Sequence, residues 1–266
     1  MGKWSVVGLC LILATLANAL AAQAAQPEKA LFVGNSLIYV GNLPATFAAM
    51  SEANGQPVHS QMIVRGGATL SQRVADGSVQ QAFSTQRPAI LVLQEQGGTL
   101  LCMPDKNACN QSQAAVTALS EMGRKNGARV FLLGSYQGHP RASVALVERE
   151  SAAAKQADIP YVEISEALRS ASTTAPDLQW FDADGGHPGP ALTLLDAIQL
   201  YRAIHGRYPE RGFTVDAPIY GTTSGLDDAT LRDANAPAPL SDTPTRITYS
   251  DAVVQRINAM LQATPR

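Results

Sequence analysis

The chain has 266 residues, 45% hydrophobic and 16% charged, which is enough apolar material for one large core and far from the composition of a disordered tail. A formal charge of -2 excludes the long-range positive field of a nucleic-acid or anionic-lipid binder. Small neutral or weakly charged partners fit this balance better.

The first segment reads as a targeting signal. Lys3 supplies a positive charge, residues 6–16 are apolar, and small residues follow at Ala17-Asn18-Ala19 and Ala22-Gln23-Ala24. This is the pattern of a secretory signal peptide over residues 1–25, cleaved near Ala25. The apolar run is too short to span a bilayer core of about 30 Å, so a retained anchor is the weaker alternative and no stable membrane span is expected after processing. Cys10 lies inside the apolar run rather than after it, which argues against lipidation. A secreted or periplasmic location is expected. In such an oxidising compartment Cys102 and Cys109 are expected to form a disulfide, the alternative being two buried free thiols.

The mature chain alternates apolar runs with helical spacing. Residues 30–33 predict a strand ending in Gly34-Asn35-Ser36, and 43–50 a helix. Strands follow at 58–64, before Arg65-Gly66-Gly67, and at 89–93. Ala115, Leu119 and Met122 recur at helical spacing up to Gly127, and residues 130–133 form the next apolar run. A helix over 144–155, a strand over 161–164 and a helix over 191–204 complete the series. Continuous apolar strands separated by helices imply a mainly parallel sheet covered on both faces. The expected fold is therefore a three-layer α/β/α sandwich on a flavodoxin-like, five-stranded sheet. Residues 26–210 form this domain, and 211–266, richer in Gly, Pro, Asp, Thr and Ala with one helix at 250–261, read as an extension packed on it.

In such folds the ligand site lies beyond the carboxyl ends of the strands. Ser36 follows the first strand, where a sharp turn into a helix exposes a hydroxyl; alone, it reads more simply as a turn or capping residue. Asp184-Gly185-Gly186-His187-Pro188 lies near the end of the α/β pattern. Its two glycines let the chain fold back so that Asp184 accepts from Nδ1–H of His187 and leaves Nε2 free as a base. Taken alone, this too is an ordinary exposed turn.

Together the two blocks resemble the SGNH/GDSL hydrolase superfamily, over roughly residues 31–207. The resemblance implies Ser36 as nucleophile and Asp184 and His187 as its partners. It also implies an oxyanion hole from the N–H groups of Ser36 and Gly67 and from a carboxamide after the third strand. The family's Gly-x-Asn-Asp block is replaced here by Leu93-Gln94-Glu95-Gln96-Gly97, similar to carbohydrate acetylesterase-like branches in which Gln takes the Asn role. Gln94 is the first choice for that donor and Gln96 the second. Gly-Asn-Ser also departs from the family's Gly-Asp-Ser.

The implied activity is that of a secreted serine esterase acting on a small-molecule or carbohydrate ester, of short acyl or O-acetyl type, with no cofactor and no metal. A non-catalytic glycan-binding or export-associated protein, and an O-acyltransferase, are the alternatives. A metal reading would gather Asp182, Asp184, His187 and His139, without any compact ligand spacing. Glu95 reads as a solvated loop charge in preference to a pocket carboxylate. Trp180, Phe181 and Tyr136 line a pocket or fill the core.

Overall fold

The computed structural model describes residues 27–102, 105–240 and 244–263. The signal-peptide expectation falls outside these residues. Strands β1 (Glu28–Gly34), β2 (Val58–Val64), β3 (Ile90–Leu93), β4 (Arg129–Leu133) and β5 (Tyr161–Val162) are all parallel where they pair, in the order β5-β4-β3-β1-β2. This is a flavodoxin-like order, with the crossover point between β1 and β3.

The apolar strands are continuous because each serves two cores. Phe32, Met62, Val92 and Phe131 point into one buried cluster, and Leu31, Ile63, Leu91 and Val130 point into the other. Helices α2 (Leu43–Ala53), α7 (Ser165–Thr174) and α8 (Pro190–His205) cover the first face. Helices α3 (Leu70–Ala75), α4 (Ser78–Gln86), α5 (Lys106–Lys125) and α6 (Pro140–Gln156) lie on the second. The three layers follow from this alternation.

Among the described residues the sheet has six strands, not the expected five. The sixth, β7 (Leu231–Asp233), comes from the C-terminal region and pairs antiparallel with β2. The same region forms a two-stranded sheet from β6 (Phe213–Pro218) and β8 (Pro244–Tyr249), and ends in α9 (Asp251–Ala263). Val254, Ile257 and Leu261 of α9 join the first core. Asn42 fastens this region to the body: it caps α2, and its Nδ2 donates to the carbonyls of Pro218 at 2.6 Å and Ala234 at 2.9 Å.

A disulfide joins Cys102 and Cys109, tying the segment after β3 to the first turns of α5. No helix among the described residues is long and apolar enough to cross a membrane.

Candidate active site

The site begins where β1 turns into the four-residue helix α1 (Ser36–Tyr39). Asn35 caps this helix, its side chain accepting from Leu37 N at 3.1 Å. Gly34 is required by close approach, because a Cβ there would stand 2.7 Å from the Gln94 carbonyl oxygen. The turn presents Ser36, half-buried, at the carboxyl edge of the sheet.

The second turn arrives between α7 and α8. Asp184 Oδ1 accepts from the backbone N–H groups of Gly186 and His187, both at 2.9 Å, and Oδ2 meets His187 Nδ1 at 2.5 Å. His187 Nε2 stands 2.9 Å from Ser36 Oγ. The donated N–H groups of His187 and Gly186, with the imidazole, hold the Asp184 carboxyl well below the ordinary aspartate range. With Nδ1–H donating to Asp184, Nε2 is the nitrogen that accepts the Ser36 hydroxyl proton.

The third part is the pair of loops after β2 and β3. Gly67 has φ +64, a left-handed conformation that favours glycine. Its exposed backbone lies beside the Gln96 side chain, whose Nε2 is 4.0 Å from where a Gly67 Cβ would be. Thr99 Oγ1 donates to Gln96 Oε1 at 3.4 Å, which turns the amide nitrogen toward Gly67. Among the described residues, no acceptor is bonded to the backbone N–H of Ser36 or of Gly67.

Gln94 is differently placed. It is fully buried, and its Nε2 donates to the Gly134 carbonyl at 3.0 Å at the end of β4. That bond ties the end of β3 to the end of β4, whereas it is the Gln96 amide nitrogen that lies beside Gly67. Glu95 also departs from expectation, being buried rather than a solvated loop charge. It accepts from Gln96 N at 2.7 Å and from Leu70 N at 3.2 and 3.3 Å, so one carboxylate braces the β3 loop against the start of α3. Burial pushes its carboxyl up, against those donated hydrogen bonds.

Behind the site lies Glu150, which the sequence reading passed over. Its Oε1 accepts from Ser135 N at 3.0 Å and Ser135 Oγ at 2.6 Å, and Oε2 accepts from Tyr161 Oη at 2.8 Å. Burial pushes it to about 7. Its signal was present: Leu146, Glu150 and Ala153 fall on one buried helical stripe, and an acid there needs partners. Of the aromatic candidates, Trp180 is buried, donating to Ala175 O at 2.8 Å, whereas Tyr136 and Phe181 face each other across 6.0 Å on a half-buried cleft wall. Asp182 and His139 do not join the other two candidate ligands: among the described residues, no three His, Cys, Asp or Glu side chains are grouped to hold a metal ion.

No protein-family model and no curated protein sequence matches the chain. Solved structures do. A protein described as an SGNH hydrolase from Slackia heliotrinireducens superposes with a TM-score of 0.56 at 21% identity, covering 67% of this chain and 100% of its own. An acetylxylan esterase, Axe2 from Geobacillus stearothermophilus, matches with a TM-score of 0.52 at 14% identity over 67% of this chain and 94% of its own. The chain has the SGNH hydrolase fold. A DUF4886 family protein from Bacteroides uniformis, at 13% identity and a TM-score of 0.55, covers 90% of this chain and 96% of its own.

Proposed function

We propose that the protein is an exported serine esterase that removes short acyl groups, O-acetyl above all, from a carbohydrate or similar polyol. The observation that carries this reading is the relay Ser36 Oγ to His187 Nε2 at 2.9 Å and His187 Nδ1 to Asp184 Oδ2 at 2.5 Å, opening beside Gly67 and Gln96. An assembled relay argues against the non-catalytic alternative, because three unrelated turn residues have no reason to share one hydrogen-bonded line.

In the reaction, Ser36 Oγ attacks the ester carbonyl carbon while its proton passes to His187 Nε2. The carbonyl oxygen, now negative, is held by the N–H groups of Ser36 and Gly67 and by the Gln96 carboxamide. Collapse breaks the bond to the alcohol oxygen, which takes the proton from His187. Water then attacks the acyl-enzyme, His187 removes its proton, and the acid leaves as the proton returns to Ser36. Asp184 remains a carboxylate throughout, fixing the tautomer and stabilising the imidazolium. Gln96 is preferred to Gln94 as the side-chain donor because its amide nitrogen lies beside Gly67, while the buried Gln94 amide donates to Gly134.

Short acyl substrates and carbohydrate are supported by the likeness to an acetylxylan esterase, and export by the N-terminal pattern with the disulfide. The test is labelling with a fluorophosphonate probe beside hydrolysis of p-nitrophenyl acetate. Wild-type protein is expected to label once and turn over, and Ser36→Ala to do neither. Wild-type turnover in a folded Ser36→Ala variant would sink the proposal.

A further inference from the structure

Resting on that reading, we infer that a second cleft holds the leaving alcohol, and that it is shaped for a sugar ring. The cleft, about 370 Å³, lies against the turn that carries His187. Tyr136, Leu168 and Phe181 give it an apolar surface, and Gln137, Arg169 and Ser172 add polar groups. Gly185 and Gly186 complete the wall, and Tyr136 Oη donates to the Gly186 carbonyl at 2.7 Å, joining the cleft to the histidine turn.

The position of the proton donor assigns the cleft to one half of the ester. The leaving oxygen must take its proton from His187 Nε2, so the alcohol lies on the imidazole side of Ser36. The acyl oxygen lies on the side of Gly67 and Gln96. This cleft borders the histidine turn. Gly186, in its wall, directly precedes His187, whose Nε2 is 2.9 Å from Ser36 Oγ.

The lining chemistry selects the occupant. A pyranose has an apolar C–H face and a rim of hydroxyls, and this cleft pairs two aromatic rings with polar side chains in the same way. An alkyl chain would make no use of the polar half of this lining. The guanidinium is held in advance of binding: Glu166 accepts from Arg169 Nε at 3.1 Å and Nη2 at 2.6 Å. The Gln137 backbone is anchored by its N–H donating to Ser165 Oγ at 3.1 Å. A donor already fixed costs little conformational entropy when a ligand engages it.

The experiment compares kcat/KM for an acetylated methyl xyloside with that for p-nitrophenyl acetate, as a ratio within each variant. Phe181→Ala is expected to lower the ratio about tenfold, mainly through KM for the sugar ester, and Phe181→Trp to restore it. Ser172→Trp, which fills the cleft from helix α7, lowers it in a chain whose histidine turn keeps its own sequence. Unchanged ratios in Phe181→Ala and Ser172→Trp, with fluorophosphonate labelling of Ser36 retained, overturn the subsite and leave the esterase reading standing. Phe181→Ala accepting longer acyl chains at an unchanged ratio also overturns it, by assigning the cleft to the acid half. Absence of labelling in the wild-type protein overturns the esterase reading itself.

Discussion

The two turns that carry the relay and the loop after β3 are built by opposite means. Asp184 is held by backbone N–H groups two and three residues away, and Asn35 caps α1 two residues on. The β3 loop takes its shape from distant chain: Glu95 grips Leu70 across 25 positions and Gln94 reaches Gly134 across 40. The short-range turns place reactive groups with little help from the rest of the protein. The loop places its donors only once three strands have met, so damage there is expected to reach catalysis and stability together.

The largest effect that would break this contrast is in the turns. Ser36→Ala and His187→Ala are each expected to lower kcat by about 10⁴-fold or more while leaving the melting temperature close to wild type, and the double variant to add little. Additive losses in p-nitrophenyl acetate assays would mean that the two residues do not act as one unit. Next comes the loop. Gln96→Ala is expected to cost about 10²- to 10³-fold in kcat, the usual loss for one oxyanion donor. Gln94→Ala should instead appear in denaturant melts, at about 1–3 kcal/mol, because it strands the buried Gly134 carbonyl. Reversal of these two results would return the donor role to Gln94.

Glu95→Ala is expected to do both kinds of damage, lowering stability by about 1–3 kcal/mol and kcat by roughly tenfold, since Leu70 N and Gln96 N lose their acceptor. A stability loss with unchanged kcat would reduce Glu95 to a structural brace. Glu150 sharpens the contrast through pH. Its carboxyl is raised from 4.5 to about 7 in the folded chain, so the folded state holds a proton that the unfolded state releases. Stability therefore falls as pH rises from about 4.5 to about 7, by roughly 1 kcal/mol per pH unit at the steepest. Glu150→Gln is expected to flatten that slope in urea melts at several pH values. The smallest effect on turnover belongs to the disulfide: reduction should cost about 2 kcal/mol of stability, as for a short closed loop, with most activity retained.

The same contrast explains what could be read before folding. Gly34-Asn35-Ser36 and Asp184-Gly185-Gly186-His187 were legible because their geometry is encoded within a few residues. The parallel sheet was legible because runs such as Ile90-Leu91-Val92-Leu93 are apolar on both faces. Gln94 and Gln96 lie two residues apart in one short segment, and only the arrival of β4 separates a buried tie from a half-buried amide beside Gly67. Glu95 looked solvated because nothing nearby in sequence announces Leu70 as its partner. Strand β7 escaped notice because Leu231-Arg232-Asp233 has no apolar alternation; its pairing is dictated by β2. By contrast Phe213, Val215 and Ala217 of β6 alternate with more exposed residues, a period that was present and overlooked.

That small β7 strand also bears on what edge the sheet presents. A sheet edge is a row of unpaired peptide groups that invites another chain to add a strand, and short edges are one defence. Here the outermost strands are the shortest of the sheet, two residues in β5 and three in β7. The strand that β7 covers is seven residues long and carries Met62, Ile63 and Val64 in succession. A chain ending near residue 210 would bare that longer, stickier edge together with the apolar surface that α9 covers, and we expect it to aggregate even if its relay still formed. The C-terminal region thereby covers an edge and a face that the rest of the sheet would otherwise expose, however little chemistry it performs.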